Sequence, residues 1–242
     1  CAIARRRPHG IERMSQQKDP WNRWISAGLE RLAEAELLRE LRPLEPISSV
    51  EVQSAEGELL LFSSNDYLGL SHHPAIREAV ASAGQQTGMG PRGSPLICGY
   101  TDRHRELEQR LSELKQTEAT LLCPTGFSAN LAVMSSLASD DVAMFSDELN
   151  HASIIDGCRL ARRGDATLDV YDHGNAEHLD KLLGESDCDR KLVVTDSVFS
   201  MDGDVAPLDD IAEVADTHDA LLIIDEAHAT FVHGVRGAGV SE

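Results

Sequence analysis

The sequence predicts an α/β protein in which a largely parallel sheet is sandwiched by helices, preceded by an N-terminal helix and a β-hairpin. Short apolar β-type segments recur from residue 119 onwards, at 119–123, 142–146, 167–171, 191–195 and 220–224. Helical segments separate them, near 127–137, 152–163, 175–184 and 208–218. This alternation is typical of strands that pair in parallel, and the nearly continuous apolar runs indicate strands covered on both faces.

The elements before this repeat are predicted from periodicity and turn residues. Residues 24–42 carry leucines at helical spacing with charged residues between them, and Pro43 marks the predicted end of this first helix. Residues 47–62 alternate well enough for a β-hairpin with Glu56-Gly57 at its turn. A second amphipathic helix is predicted over 102–116.

Composition excludes several classes of partner. The chain has 242 residues with 41 acidic and 22 basic side chains, giving a net charge of -19 that disfavours nucleic acid and anionic membranes. Its 5 cysteines are scattered without CxxC spacing, which indicates reduced thiols rather than disulfides or a zinc site. No apolar run reaches the roughly 18 residues of a membrane helix. We therefore expect a cytoplasmic protein.

The chain divides into three segments by sequence. Residues 1–13 are basic, precede Met14 and are expected to be a leader outside the fold; an organellar location follows if they belong to a transit peptide. Residues 14–63 form the predicted helix and hairpin segment. Residues 64–242 form the predicted large domain that contains the sheet.

The chemistry is expected just after the strands, because ligands of such sheets bind beyond the carboxyl ends of the strands. Asp225-Glu226-Ala227-His228 follows the last apolar run. The same four letters occur in the Walker B motif of helicases, but the chain has no Gly-Lys pair for a phosphate loop, which excludes that reading. Two readings stay open: a carboxylate that pairs with the protonated nitrogen of a pyridine cofactor, or an ordinary acidic turn.

Three further segments at the same edge each have two readings. The turn at Gly126 and Phe127 offers helix-start N–H groups to a phosphate, or is a plain connection. His151 opens a helix and either stacks on a planar ring or caps the helix. The turn from Ser200 to Asp204 either holds a ligand oxygen or joins two elements.

Two other patterns carry no site. Residues 88–93 fit GxGxxG by letter, but a predicted helix at 75–83 precedes them where a dinucleotide site needs a strand; Arg92 could still contact an anion. The pairs His104/Glu108 and His173/His178 have metal-ligand spacing but are expected to be solvated, so no metal is predicted.

Six ordered motifs carry a resemblance that spans residues 24–242. They are Ser64-Asn65-Asp66-Tyr67-Leu68-Gly69-Leu70, Gly99-Tyr100-Thr101-Asp102-Arg103-His104-Arg105-Glu106-Leu107-Glu108, Pro124-Thr125-Gly126-Phe127, Asn150-His151-Ala152-Ser153-Ile154-Ile155-Asp156-Gly157, Val198-Phe199-Ser200-Met201-Asp202-Gly203-Asp204 and Asp225-Glu226-Ala227-His228. Together they resemble the α-oxoamine synthases, acyltransferases of the type I pyridoxal-phosphate fold. Each motif alone is weak, but six in this order are specific.

The resemblance implies pyridoxal 5'-phosphate as the cofactor and assigns residues to it. Gly126 and Phe127 would contact the cofactor near its phosphate. Asp225 would pair with the ring nitrogen, and Ser200 and His228 would hydrogen-bond the ring oxygen region.

Substrate residues are implied in the same way. His151 would stack on the ring and border the substrate, so the implied catalytic set is His151, Asp225 and His228. Arg39, on the first helix, falls where the family has an arginine for the acyl substrate, and Asn65 would line the substrate site.

The implied reaction is the condensation of L-alanine with pimeloyl-CoA, releasing CoA and carbon dioxide, within biotin synthesis. Gly99-Tyr100 resembles this branch of the family, whereas relatives that use glycine tend to carry Gly-Thr there. A glycine-using activity, of the glycine C-acetyltransferase or 5-aminolevulinate synthase type, is the alternative.

The family carries its Schiff-base lysine downstream of the Asp-x-Ala-His motif, whereas the lysines of this chain all precede Asp225: Lys18, Lys115, Lys181 and Lys191. We therefore expect a large domain truncated before that lysine and inactive by itself, from a protein that is a homodimer when whole. The alternative is a non-catalytic fragment that binds a partner.

Overall fold

A computed structural model of the protein describes residues 19–138, 141–162 and 165–242. The chain divides into two compact units, one ending at Phe62 and one beginning at Ser63. The predicted leader, residues 1–13, lies outside the described residues.

The N-terminal unit contains one helix and a small antiparallel sheet. Helix α1 spans Pro20–Glu34. Strands β1 (Glu45–Pro46), β2 (Glu51–Ser54) and β3 (Gly57–Leu60) form a sheet in the order β1-β2-β3. Strands β2 and β3 are the predicted hairpin, with their turn one residue earlier than the predicted pair.

Helix α1 ends eight residues before the predicted boundary at 42, and the cause is a Schellman motif. Glu36 adopts φ 56°, and its N–H donates to the Ala33 carbonyl at 3.1 Å. The Leu37 N–H donates to the Leu32 carbonyl at 2.8 Å. The prediction that Arg39 lies on the first helix is therefore wrong, because Arg39 follows the helix in an exposed segment without regular structure.

The second unit is the predicted α/β domain. Its helices are α2 (Pro74–Thr87), α3 (Asp102–Lys115), α4 (Gly126–Leu137), α5 (Ala152–Ala161), α6 (Ala176–Glu185) and α7 (Leu208–Thr217). Its strands are β4 (Val142–Asp147), β5 (Thr167–Tyr171), β6 (Arg190–Asp196) and β7 (Leu221–Asp225). All neighbouring pairs are parallel, in the order β5-β4-β6-β7. The sequence-based fold class is confirmed.

Both faces of this sheet are covered by helices. On β4, Phe145 packs against a core formed with α6 and α7, whereas its neighbour Met144 packs on the opposite side with α4 and α5. On β6, Val193 and Val194 divide between the same two cores. Successive strand residues point to opposite faces, so both sets must be apolar when both faces are buried.

One predicted strand does not form. Residues 119–123 precede α4 without strand structure, and Leu121 is exposed. The Leu122 N–H donates to Glu108 Oε1 at 3.0 Å, so a side chain of α3 takes the place of a strand partner. An apolar β-type run needs a neighbour that supplies ladder hydrogen bonds, and side-chain pattern alone does not provide one.

The glycine-rich segment at 88–93 follows helix α2, as predicted, so it lacks the preceding strand of a dinucleotide site. Its Gly88 and Gly90 adopt φ 82° and 134°, which suits them to a turn. Across the described ranges, no helix has the length and apolar character needed to cross a membrane.

Candidate active site

The candidate cleft lies in the second unit, where β6 and β7 end and where α4 and α5 begin. Ten residues line it: Gly126, Phe127, Asn130, His151, Ser153, Asp196, Ser200, Asp225, Ala227 and His228. Six of the eight residues singled out from the sequence are among them. These six residues come from four separate segments of the chain, as expected if ligands bind beyond the carboxyl ends of parallel strands.

Asp225 ends strand β7 with a carboxylate fixed by two donors. The Ala227 N–H donates to its Oδ1 at 2.8 Å, and Asn130 Nδ2 donates to its Oδ2 at 2.7 Å. The side chain is half-buried. The two N–H donors fix the orientation of the carboxylate, which makes Asp225 an oriented acceptor on the cleft wall.

His151 is the N-cap of helix α5. Its ring Nδ1 accepts from the Ser153 N–H at 3.2 Å and lies 2.6 Å from Ser153 Oγ. Its backbone N–H donates to Asp196 Oδ2 at 2.7 Å. The ring is thus held at Nδ1 and the backbone at its N–H, and both the capping reading and a place beside the ligand fit this geometry.

Asp196 ends strand β6 directly opposite Asp225 in the parallel register. It is 5% exposed. Burial raises the pKa of this carboxyl to about 6; the His151 N–H acts against that rise, and the negative charge of Asp225 adds to it. Two carboxylates side by side at strand ends are costly, and such perturbed groups are common at functional sites.

The start of helix α4 forms another part of the cleft. Thr125 caps it, because Thr125 Oγ1 accepts the Ser128 N–H at 3.0 Å, and Ser128 Oγ accepts the Thr125 N–H at 3.2 Å. Among the described residues no acceptor takes the N–H groups of Gly126 and Phe127. A Cβ on Gly126 would meet nothing within 4 Å, so the backbone here is open to a ligand. This geometry suits an anion.

Ser200 and His228 complete the cleft. Ser200 lies in a turn closed by the Phe199 N–H donating to the Asp204 carbonyl at 3.0 Å. His228 Nδ1 lies 2.6 Å from the Tyr67 hydroxyl, which fixes the ring. Both side chains face the same cavity as Asp225.

Asn65 lies in an adjoining cleft rather than in the candidate cleft. That adjoining cleft also contains Tyr67 and Phe231 and shares Ala227 and His228 with the candidate cleft. Asn65 thus lines the same adjoining cleft as Tyr67, whose hydroxyl contacts the His228 ring. The substrate role of Asn65 stays a prediction.

Arg39 belongs to the N-terminal unit, where its side chain is exposed. Its role with the acyl substrate also stays a prediction.

The motif analysis gave no individual role to Asn130, Ser153, Asp196 or Ala227. Asn130 offered a signal, because it lies one helical turn before the buried Met134 on a helix whose other polar residues are all serines. Ser153 lies in a quoted motif but is fully buried, which the sequence does not reveal.

The two pairs with metal-ligand spacing hold other partners. His104 Nδ1 accepts the Thr101 N–H at 3.2 Å, and His178 Nδ1 accepts the Asp172 N–H at 3.1 Å. His173 bridges Asp147 and Asp204, at 3.0 and 2.7 Å. No group of three or more metal-ligating side chains is found in the described part of the chain.

Comparison with known proteins decides the family. Residues 57–241 match the family described as Aminotransferase class I and II. The chain belongs to this family. Solved structures agree: serine palmitoyltransferase from S. paucimobilis with a bound pyridoxal phosphate–myriocin aldimine superposes with a TM-score of 0.83 at 32% identity, covering 93% of this chain and 57% of that one. The fold is therefore that of pyridoxal-phosphate-dependent transferases, as the motifs predicted.

Several similar proteins carry the name 8-amino-7-oxononanoate synthase. The 8-amino-7-oxononanoate synthase of Arabidopsis thaliana is 52% identical over 200 residues, covering 76% of this chain and 42% of that protein. The synthase of Anaeromyxobacter sp. (strain K) is 47% identical over 219 residues, covering 90% and 54%. The crystal structure of the Francisella tularensis synthase has a TM-score of 0.60 at 31% identity, covering 74% and 48%. The chain spans about half the length of the curated relatives it matches.

Proposed function

We propose that the protein condenses L-alanine with pimeloyl-CoA to 8-amino-7-oxononanoate, CoA and carbon dioxide, with pyridoxal 5'-phosphate as cofactor, in biotin synthesis. The observation that carries this proposal is the single cleft that collects Gly126, Phe127, His151, Ser200, Asp225 and His228. The relatives named above carry this activity in their names, which supports the choice within the family.

The residues of the cleft fit the cofactor by their chemistry. Asp225 is an oriented carboxylate, suited to a protonated pyridine nitrogen. The N–H groups of Gly126 and Phe127, at the positive end of α4, suit a phosphate. Ser200 and His228 supply hydroxyl and imidazole groups for a phenolic oxygen. These residues thus match the ring nitrogen, the phosphate and the phenolic oxygen of pyridoxal phosphate.

Each side chain has a separate task in the proposed reaction. When bound, pyridoxal phosphate supplies an electron sink that stabilises negative charge at the α-carbon of the amino acid. Asp225 would hold a proton on the ring nitrogen, and the start of α4 would anchor the phosphate. His151 would cover one side of the ring and border the amino acid, while Asn65 and Arg39 would serve the acyl substrate.

We also propose a homodimer as the working form of the whole protein and the cytoplasm as its location. A glycine-using reaction is the competing activity within the same fold, and Gly99-Tyr100 argues against it because the glycine-using relatives tend to carry Gly-Thr.

Cofactor binding is tested by titrating the protein with pyridoxal phosphate and following its absorbance. We expect Asp225→Ala to weaken binding about 10- to 100-fold, since a hydrogen bond to a charged group contributes roughly 1.5–3 kcal/mol. Asp169→Ala, an exposed position on β5, is the matched control and should bind like the unchanged protein. Equal affinity of both variants would contradict the proposed role of Asp225.

The substrates are tested separately on the full-length protein. Product formation is measured with L-alanine, glycine or L-serine, each combined with pimeloyl-CoA, acetyl-CoA or palmitoyl-CoA. The proposal expects the highest kcat/KM for L-alanine with pimeloyl-CoA. A preference for glycine with acetyl-CoA would assign the competing activity instead.

A further inference from the structure

A continuous chain of hydrogen bonds joins two walls of the cleft. Asn130 Nδ2 lies 2.7 Å from Asp225 Oδ2 and 2.9 Å from Ser153 Oγ. Ser153 Oγ lies 2.6 Å from His151 Nδ1. The chain thus runs from the end of β7 through α4 to the start of α5, and its middle hydroxyl belongs to a fully buried residue.

The direction of each bond follows from the groups at its ends. A carboxylate only accepts and an amide nitrogen only donates, so Asp225 fixes which way the Asn130 amide faces. The opposite orientation would place the amide oxygen 2.7 Å from the Asp225 carboxylate. Asn130 therefore donates to Ser153 Oγ as well.

The direction of the bond between Ser153 and His151 follows from that between Asn130 and Ser153. Because Ser153 Oγ accepts from Asn130, its own proton is available to His151 Nδ1. The Ser153 N–H converges on the same ring nitrogen at 3.2 Å. A nitrogen that accepts from two donors carries no proton, so the neutral ring is protonated on Nε2.

We infer that Asn130 and Ser153 are positioning residues: they form a hydrogen-bonded relay that couples Asp225 to His151 and holds the His151 proton on Nε2. No described residue hydrogen-bonds Nε2, which leaves this N–H for an acceptor oxygen of a ligand. The consequence for a bound substrate, such as its carboxylate, rests on the proposed function. The relay itself rests only on the contacts of these four residues.

The test reads the His151 ring nitrogens by long-range proton–nitrogen NMR of uniformly ¹⁵N-labelled protein at about pH 8, without cofactor. His151→Gln identifies the resonances among the 10 histidines. In the unchanged protein we expect Nδ1 to be of the unprotonated type and Nε2 to carry the proton. A protonated Nδ1 in the neutral ring overturns the inference, whatever the variants do.

Asn130→Asp reverses the relay at constant size. An acidic side chain at position 130 accepts from the Ser153 hydroxyl, which turns a lone pair of Ser153 Oγ toward His151 Nδ1 at 2.6 Å and leaves the Ser153 N–H as the longer contact at 3.2 Å. We expect Nδ1 to become protonated in this variant. Asn175→Asp is the matched control, because the same change at the N-cap of α6 keeps an acceptor for the His178 N–H. It should leave the His151 signals unchanged.

A double variant separates the relay from plain electrostatics. Ser153→Ala removes the middle hydroxyl, so Asn130→Asp should no longer protonate Nδ1 in that background. A response of equal size with and without Ser153 overturns the relay in favour of a charge effect through space. The readout needs no cofactor, so a failure here is distinct from a failure of the pyridoxal phosphate titration.

Discussion

The charge of the Asp196 carboxylate at the end of β6 lowers the stability of the fold, so removing that charge should stabilise the protein. The carboxyl is nearly buried and lies beside Asp225 in the register. Burial raises its pKa from 3.8 to about 6, with the His151 N–H opposing and Asp225 reinforcing the change. We predict that Asp196→Asn increases the free energy of unfolding near neutral pH.

The magnitude and its pH dependence follow from this pKa. A rise from 3.8 to about 6 corresponds to at most about 3 kcal/mol, since one pKa unit equals about 1.36 kcal/mol. Access of water through the cleft reduces this to about 1–2 kcal/mol. Because the folded pKa is the higher one, the contribution of Asp196 to stability is fully present below 3.8 and is lost as pH rises through about 6.

The assay is urea unfolding followed by far-ultraviolet circular dichroism at several pH values from about 4 to about 8. Tryptophan fluorescence is unsuitable, because both tryptophans, Trp21 and Trp24, lie in the N-terminal unit. The Asn side chain can still accept the His151 N–H, so its gain should be largest near pH 8 and vanish near pH 4. A variant that is no more stable near pH 8, or a gain that does not shrink on acidification, refutes the reasoning.

Two further variants test the packing that supports the cleft. Lys115 donates to Glu226, to Thr230 at 3.0 Å and to the Ala238 carbonyl, so Lys115→Met should lower the free energy of unfolding in urea by about 2 kcal/mol. The control is Lys181→Met, which should cost about zero because the pair of Lys181 with Glu185 is exposed. Equal costs for the two variants would contradict the prediction. A Cβ on Gly157 would lie 3.0 Å from Met134 Cγ, so Gly157→Ala should lower the free energy of unfolding by about 1–3 kcal/mol. Adding Met134→Leu should not restore that stability, because leucine is branched at the same Cγ position.

Much of the fold could be predicted because its signals are local. The strands of the second unit are short apolar runs between amphipathic helices, and both properties are visible in the sequence. Two predictions were wrong, the end of helix α1 and the strand at 119–123, because an unusual local conformation or a tertiary contact determines the structure there. Helix α1 ends at a positive φ on Glu36, whereas the sequence signal for such an end is glycine. Residues 119–123 form no strand, and the Leu122 N–H donates to the Glu108 side chain instead of to a neighbouring strand.

The candidate site was predictable to the extent that it obeys the strand-end rule. Asp225 and Ser200 follow strands, and the parallel sheet brings them together. Asn130 and Ser153 lie inside helices and act through hydrogen bonds between elements. Such contacts depend on how α4 and α5 pack, which one sequence does not specify. The charge state of Asp196 likewise depends on burial that appears only in the fold.

The distribution of charge in the cleft argues for the kind of ligand it holds. Asp196 and Asp225 place two carboxylates side by side on one wall, an arrangement that costs stability unless a positive group neutralises it. The start of α4 offers open N–H groups with the positive end of a helix dipole behind them. A ligand that satisfies both must be cationic at one end and anionic at the other. A phosphorylated pyridinium has that charge pattern, whereas a simple anion or a simple amine would leave one wall of the cleft unsatisfied.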